Sequence, residues 1–410
     1  MTNEPKNLPE LRFPEFEKSW RIITLGEATT KIGSGKTPLG GSSVYLNNGI
    51  PFLRSQNIQY GILDLSELVY IDENTDENMK SSRTYYGDIL LNITGASIGR
   101  SAVNTIKKGY ANLNQHVCII RLKEHYNYHF IGQFLISPKG QKKIFMAQSG
   151  GSREGLNFNE ISKIKFSLPD ELEEQQKTGD FFSKLDRQIE LEEQKLALLE
   201  EQKKGYMQKI FSQELRFKDE NEGDYPEWKI KKIEDIASVT KGFTPSTKNN
   251  DYWHDENRNW LSIAGMDEKY LYHGNKGITD LASQKHDKVD KNTLIMSFKL
   301  TLGKLGIVKE PMYTNEAICH FNWKSKNVNT EYVYYYLSYI NISSFGSQAV
   351  KGITLNNDSI NSIVIKLPSL SEQYKISDLL KKYDEFIEKQ LAKIELLKER
   401  KKGFLQKMFV

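Results

Sequence analysis

Cysteine is almost absent. Cys118 and Cys319 are the only two in 410 residues, which excludes a disulfide framework and any zinc site built on cysteine pairs. No apolar run approaches the roughly 18 residues of a membrane span. The opening MTNEPKNLPELRF lacks the apolar core of a secretory signal. A one-signed charge excess is missing too: the net charge of +4 permits a nucleic-acid partner without demanding one. The expected setting is cytoplasmic, with no membrane partner. At 38% hydrophobic and 27% charged residues, the chain has room for two or three soluble domains.

Catalytic signatures are also wanting. There is no His-Glu-x-x-His, no Gly-x-Ser-x-Gly elbow, no Gly-x-Gly-x-x-Gly after a strand and no Asn/Asp-Pro-Pro-aromatic tetrapeptide. His125 and His129 stand four apart without a Cys or acidic partner in a recognised pattern, so both read as surface or packing residues. Gly-Ser-Gly-Lys-Thr at 33–37 looks like a P-loop, but Thr30 stands where its first glycine belongs. Pro38-Leu39-Gly40-Gly41 then follows, a run that resists the helix a phosphate cradle needs. The chain reads as a non-enzyme, with no metal and no cofactor of its own.

What is present is written twice. Residues 174–211 and 372–409 are identical at 18 of 38 positions. Both follow a Leu-Pro pair, Leu168-Pro169 and Leu367-Pro368, where proline suits a helix start. The repeat extends backwards more weakly. Trp20–Pro38 parallels Trp228–Pro245, "NQHVC" (114–118) parallels "NEAIC" (315–319), and "GLNFNEISKIKFSLP" parallels "ITLNNDSINSIVIKLP". Gly-Lys-Thr is lost in the second copy, "TKGFTPSTKN", which keeps Gly242, Thr244 and Pro245. The shared element is a glycine turn ending in Thr-Pro.

The long segments carry apolar residues in alternating steps of four and three: Phe182, Leu185, Ile189, Leu196 and Leu199 in one, Leu380, Tyr383, Ile387, Ile394 and Leu397 in the other. That spacing predicts coiled-coil seams, each interrupted twice by polar residues, Glu192 and Lys203 or Gln390 and Lys401. Residues 170–211 hold 11 acidic and 7 basic side chains, net −4; residues 370–410 hold 7 and 10, net +3. Opposite sign favours pairing the two helices with each other over packing each on its own globular unit, the alternative. Between them, "DILLNI", "HVCIIRL", "KIKFSL" and "SIVIKL" read as strands. "EYVYYYLSYI" reads as a core helix, with base stacking by its tyrosines as the alternative.

The expected fold is α+β: two similar α+β domains joined by two long helices that pair as an antiparallel coiled coil, a pseudo-two-fold internal repeat. The expected boundaries are an N-terminal segment 1–19, a first domain 20–167, a central helix 168–217, a second domain 218–366 and a C-terminal helix 367–410.

Polar side chains cluster on matching loops. In the first domain they are Lys31, Ser34, Lys36, Thr37, Arg54, Gln56, Asn57, Thr94, Arg100, Asn114, Gln115 and Arg153. In the second they are Lys241, Thr244, Ser246, Lys248, Lys299, Thr301, Lys304, Lys351 and Asn356. Arg, Asn and Gln read base edges, while Lys, Ser and Thr suit phosphates. Taken singly each is more often a turn residue or solvated charge; the clustering in both copies carries the DNA reading.

These features together resemble the specificity (S) subunit of Type I restriction–modification systems. The resemblance runs through "LGEATTKIGSGKTP", "IPFLRSQNI", "GDILLNITGASIGRSAV", "LNQHV" and the twice-used Leu-Pro/Glu-Gln helix starts and Lys-Lys-Gly-aromatic-x-Gln-Lys-x-Phe helix ends. The second half departs at "SFKLTLGKLG" and "NEAIC". The resemblance implies two target recognition domains, each reading half of a split site on double-stranded DNA, and helices that set the gap. It also implies two methyltransferase (M) subunits bringing S-adenosylmethionine chemistry for N6-adenine methylation, and motor-nuclease (R) subunits adding ATP/Mg-driven translocation and cleavage. Two similar readers on an antiparallel pair suit inverted half-sites on a duplex, and their divergence predicts an asymmetric target. A seam of about 33 residues spans roughly 50 Å, or about 15 base pairs. The competing readings are a coiled-coil adaptor that binds only proteins and an NTPase using Lys36.

Overall fold

The computed structural model describes residues 7–148, 155–254, 256–349 and 352–410. The chain forms two compact units, Met1–Gln194 with Leu391–Val410, and Lys195–Gln390. Each mixes helix and sheet, the α+β class expected from the repeat.

The two main sheets share one strand order. In the first unit it is Thr29–Ser34, Val117–Leu122, Ile89–Asn92 and Ser101–Val103, all antiparallel. In the second it is Ala237–Lys241, Ile318–Trp323, Leu294–Ser297 and Leu305–Val308, with Tyr270–Leu271 added as a parallel edge. Cys118 lies opposite Ser34 and Leu91, and Cys319 opposite Lys241 and Met296. The two cysteines therefore occupy one sheet position, and burial pushes each thiol up to about 12.

Trp20 leads into strand Arg21–Thr24, which pairs with Lys165–Leu168; Trp228 leads into Lys229–Lys232, which pairs with Val364–Leu367. These pairings bring the chain to the Leu-Pro steps that precede the long helices Leu172–Phe211 and Leu370–Lys407. The Glu-Gln pair of each helix start then does two jobs. Glu174, 1% exposed, accepts Trp20 Nε1 at 3.1 Å and the Arg12 guanidinium at 2.6 and 2.7 Å. Glu372, fully buried, accepts Trp228 Nε1 at 3.0 Å and the Arg216 guanidinium at 3.2 and 2.9 Å. The neighbouring Gln175 accepts from the Asn127 N–H and donates to the Pro169 carbonyl; Gln373 does the same with Asn329 and Pro368. Asn127 and Asn329 in turn cap the core helices Tyr128–Ile136 and Thr330–Tyr339.

The arginines disclose a repeat that starts earlier than Trp20 and Trp228. Glu-Leu-Arg-Phe occurs at 10–13 and again at 214–217. The Leu215 N–H closes on the Lys209 carbonyl at 3.0 Å, and the Leu11 N–H closes on the Lys407 carbonyl at the same distance. One motif thus follows each helix end, once along the chain and once by bringing together residues near its two termini.

Each unit takes the start of one long helix and the end of the other. In the first unit Phe409 stacks on Phe182 at 5.7 Å and meets Phe130 at 5.2 Å. In the second, Phe211 packs on Tyr336 at 5.2 Å, and Tyr332, Tyr335 and Tyr336 are buried, as a core helix requires. Within the first unit Asp186 pairs with Lys401 at 2.5 Å and Glu192 with Lys393 at 2.5 Å, so the helical segments run in opposite directions. Within the second, Lys203 pairs with Asp384 at 2.5 Å and Tyr206 meets Tyr383. Of the seam residues, Phe182, Ile189, Leu380, Ile394 and Leu397 are buried, while Leu185, Leu196, Leu199, Tyr383 and Ile387 are half-buried. Among the described residues no helix is long and apolar enough to cross a membrane.

Breaking a buried ion pair by removing one partner strands the other and costs roughly 3 kcal/mol or more. Glu372→Ala is therefore expected to destabilise the second unit by about 3 kcal/mol, at the low end because Arg216 is 25% exposed and retains some hydration. Urea unfolding followed by hydrogen exchange at the second unit's core strands measures this, and a loss below about 1 kcal/mol would show the pair to be dispensable.

Candidate nucleic-acid interface

At one end of each main sheet the chain makes the same turn twice. The Gly35 N–H donates to Val117 O at 3.0 Å and the Lys36 N–H to Leu113 O at 2.9 Å; the Gly242 N–H donates to Ile318 O at 3.2 Å and the Phe243 N–H to Thr314 O at 2.8 Å. A Cβ on Gly35 would sit 2.0 Å from the Leu113 carbonyl oxygen, and one on Gly242 would sit 2.0 Å from that of Thr314. Close backbone approach therefore requires glycine here. No helix opens at Lys36; a short 3₁₀ turn, Gly41–Val44, comes five residues later. The P-loop reading fails on geometry as it did on spacing.

The opposing hairpins supply a second shared feature. Asn114 Oδ1 accepts the His116 N–H at 3.0 Å, and Asn315 Oδ1 accepts the Ala317 N–H at 2.8 Å. Asn315 Nδ2 also donates to Thr244 Oγ1 at 2.8 Å, tying the Thr-Pro turn to the hairpin. Around this frame in the first unit stand exposed Lys36, Thr37, Gln56 and Gln115, half-exposed Ser34, and Thr94, whose hydroxyl lies 2.6 Å from His116 Nδ1. Arg54 lies over the Tyr45 ring at 5.6 Å, and Arg100 donates to Gln59 at 3.1 Å. Asn92 Nδ2 donates to Ser55 O at 2.9 Å, which joins the Arg54 and Thr94 loops.

Other candidates sit elsewhere or are engaged in folding. Asn57 is 2% exposed, its amide holding the Arg54 N–H and the Asp64 carbonyl. Lys31 points to the Ser81 carbonyl at 2.6 Å, away from the turn, and burial lowers its pKa. Asn356 caps helix Asn357–Asn361, as Asn157 caps Phe158–Ser162, so the repeated asparagine is explained by capping. Arg153 and Lys351 lie outside the described residues.

In the second unit Lys241, Ser246, Lys248, Lys299 and Thr301 are exposed, and Lys304 pairs with Asp267 at 3.1 Å. Here the structure adds residues that sequence reasoning passed over. Lys241, Phe243, Lys285, His286 and Lys288 line a polar cavity of about 370 Å³, and the His286 ring stacks on Phe243 at 3.5 Å. The run "QKHDKVDK" (284–291) holds three lysines and two aspartates; it was missed because the aspartates leave it with little net charge.

A model of the family described as "Type I restriction modification DNA specificity domain" matches residues 17–201 and again 225–397. Two relatives from Methanocaldococcus jannaschii are each 24% identical. The putative type I restriction enzyme MjaX specificity subunit aligns over 97% of this chain and 94% of its own length. The MjaVIII specificity subunit aligns over 97% and 93%. The crystal structure of a Type I restriction–modification S subunit from M. genitalium superposes with a TM-score of 0.59 at 13% identity, over 98% of this chain and 99% of that one. That last likeness is one of fold.

His320 lies beneath the second unit's cavity, 8% exposed, with Nδ1 3.1 Å from Thr240 Oγ1 and Nε2 2.6 Å from Thr314 Oγ1. Burial lowers its pKa to about 4 from an ordinary 6.5. The unfolded chain therefore takes up the proton first, and stability is lost as pH falls from about 6.5 toward 4, by roughly 3 kcal/mol in full. Urea unfolding of wild type and His320→Gln at pH 7 and pH 4.5 tests this. The gap between the two proteins should shift in favour of the variant at low pH, and parallel pH profiles would refute the assignment.

Proposed function

The chain belongs to the family of Type I restriction–modification DNA specificity proteins, and on that footing we propose that each unit reads one half of a two-part, asymmetric site on double-stranded DNA. The observation that carries this reading is the turn frame built twice and dressed differently. The Gly-x-Thr-Pro turn and the Asn-led hairpin are common to both units, yet the side chains around them differ: Lys36, Gln56, Arg54 and Gln115 in one, Lys241, Lys248, Lys299 and the Lys285–Lys288 segment in the other. One scaffold presenting two reading surfaces suits two different half-sites.

On this reading the two long helices form one antiparallel coiled-coil spacer that sets the gap between half-sites and offers its outer faces to two methyltransferase subunits. The chain itself is not a catalyst. S-adenosylmethionine serves the methyltransferase subunits, ATP and Mg serve the motor-nuclease subunits, and the complex works in the cytoplasm. Relatives named as specificity subunits of type I restriction enzymes support this assignment. So does the fold shared, at a TM-score of 0.59, with a structure described under complex assembly of the type I restriction–modification system.

Mapping N6-methyladenine in host DNA with and without this gene should reveal one two-part sequence whose methylation depends on it. Identical maps would sink the proposal in favour of a protein-only adaptor. Exchanging residues 20–167 for another such unit should alter one half of that sequence alone, and a change in both halves would refute modular reading. Adding one heptad to each long helix should widen the gap by about three base pairs, since seven residues rise roughly 10 Å. Methylation at the original gap would overturn the spacer role.

A further inference from the structure

Among the described residues the two most exposed large hydrophobic side chains are Leu39, at 98%, and Leu300, at 88%. Exposed leucines are common and mean little singly. These two fall one in each unit, and both lie at the sheet end that carries the shared turn. Leu39 follows Thr37-Pro38 directly. The Gly41 N–H bonds the Pro38 carbonyl at 2.9 Å and Gly40 takes φ +100°, so Leu39 occupies the outer corner of a closed turn.

Leu300 is held outward more forcibly. Its φ of +63° is left-handed, a conformation costly for a residue with a Cβ and stable only where the surroundings impose it. The surroundings do impose it. The fully buried Ser297 hydroxyl bonds the Thr301 carbonyl and accepts the Lys304 N–H at 3.0 Å, and the Gly303 N–H returns to the Ser297 carbonyl at 2.8 Å. The Phe298 N–H ties the loop's base to Ala317 O at 3.0 Å, on the same hairpin that anchors Thr244. An ordered loop thus spends backbone strain to project an apolar side chain into solvent. Lys299 and Thr301 stand beside Leu300, and Lys36 and Thr37 come just before Pro38-Leu39.

Resting on the DNA-reading assignment above, we propose that Leu39 and Leu300 are wedges that enter the duplex at a base step beside each half-site and unstack it. An apolar tip flanked by lysines fits a stacked duplex, whose base faces are apolar and whose edges are phosphate. A step already unstacked is also cheaper to open for chemistry on a neighbouring base.

The test uses the full chain purified in complex with the methyltransferase subunits expressed beside it, and a duplex of the mapped methylated sequence. 2-Aminopurine is placed in turn at positions flanking each half-site. Wild type should raise the fluorescence several-fold at one step beside each half. Leu300→Asn, a residue at home in the left-handed region, should keep or raise the melting temperature. It should also abolish the rise beside the second half-site alone and weaken binding roughly tenfold. Leu39→Asn should do the same beside the first half-site. Fluorescence and affinity unchanged in both variants would overturn the proposal. So would a wild-type complex without any rise whose affinity falls when thymine is replaced by uracil, since the leucines would then rest on thymine methyl groups. Absence of salt-sensitive binding to any duplex would instead overturn the DNA reading itself, a separable failure.

Discussion

A buried carboxylate at the head of each long helix is the interaction on which the rest of either unit depends. Glu174 and Glu372 are almost wholly withdrawn from water, and such a charge is tolerable only when its oxygens are filled. Each is filled from two directions, by the indole that leads the first strand and by an arginine of the Glu-Leu-Arg-Phe segment beside the other helix's end. One side chain therefore fixes the first strand, the helix start and the end of the opposite helix together. The adjacent glutamine extends the junction to the cap of the core helix. Because a half-filled site would cost more than an apolar one, the arrangement is kept whole or lost whole. That accounts for near-identity at the helix starts and ends in a chain whose loops differ freely.

At the far end of the sheets the constraints are of another kind. Gly35 and Gly242 must be glycine because a carbonyl lies where a Cβ would go, and Asn114 and Asn315 must close their hairpins. Between these fixed points the side chains differ, and Lys36 in one unit corresponds to Phe243 in the other. Phe243 then stacks on His286, and both line a polar cavity together with Lys285, Asp287, Lys288 and Asp290. Divergence is concentrated where the backbone alone is specified.

Much of this was legible in the sequence because it obeys periodicity. The α+β class, the placement of the cysteines, the core role of Tyr332, Tyr335 and Tyr336, and the burial of Phe182, Ile189, Leu380 and Ile394 all follow from apolar spacing read against the repeat. Interactions between residues distant in sequence were not legible. Nothing in the spacing announces that Arg12 reaches Glu174, although the doubled Glu-Leu-Arg-Phe was there to be aligned. Polar residue type also says little about whether a side chain faces solvent or serves the fold. Asn57 and Asn356 are spent on backbone groups, Lys31 on the Ser81 carbonyl. The left-handed backbone of Leu300 had no signal at all, since leucine gives no warning of it.

The polar seam residues show how such helices resist slippage. Lys203 and Lys401 interrupt the apolar stripes at matching places, and each is met by an aspartate at the matching place of the other helix, Asp384 and Asp186. Their settings differ: Asp186 also accepts from Gln133, whereas Asp384 also meets Lys269 and Tyr335; burial pushes its carboxyl up, but the hydrogen bonds from Lys203 and Tyr335 and the charges of Lys203 and Lys269 outweigh it and hold the group below the usual carboxylate range. A slip of one heptad in the second unit would set Lys203 against Ser377 or Leu391 in place of Asp384; in the first it would set Asp186 against Ile394 or Met408 in place of Lys401. Every such slip strands a half-buried charge, which costs more than an apolar seam alone would exact. The apolar stripe by itself tolerates heptad shifts, because its period repeats; the crossed aspartate–lysine pairs do not repeat and so select one register. If the helices are the spacer proposed, the distance they set is then a property of their length alone, because the register is no longer free to vary.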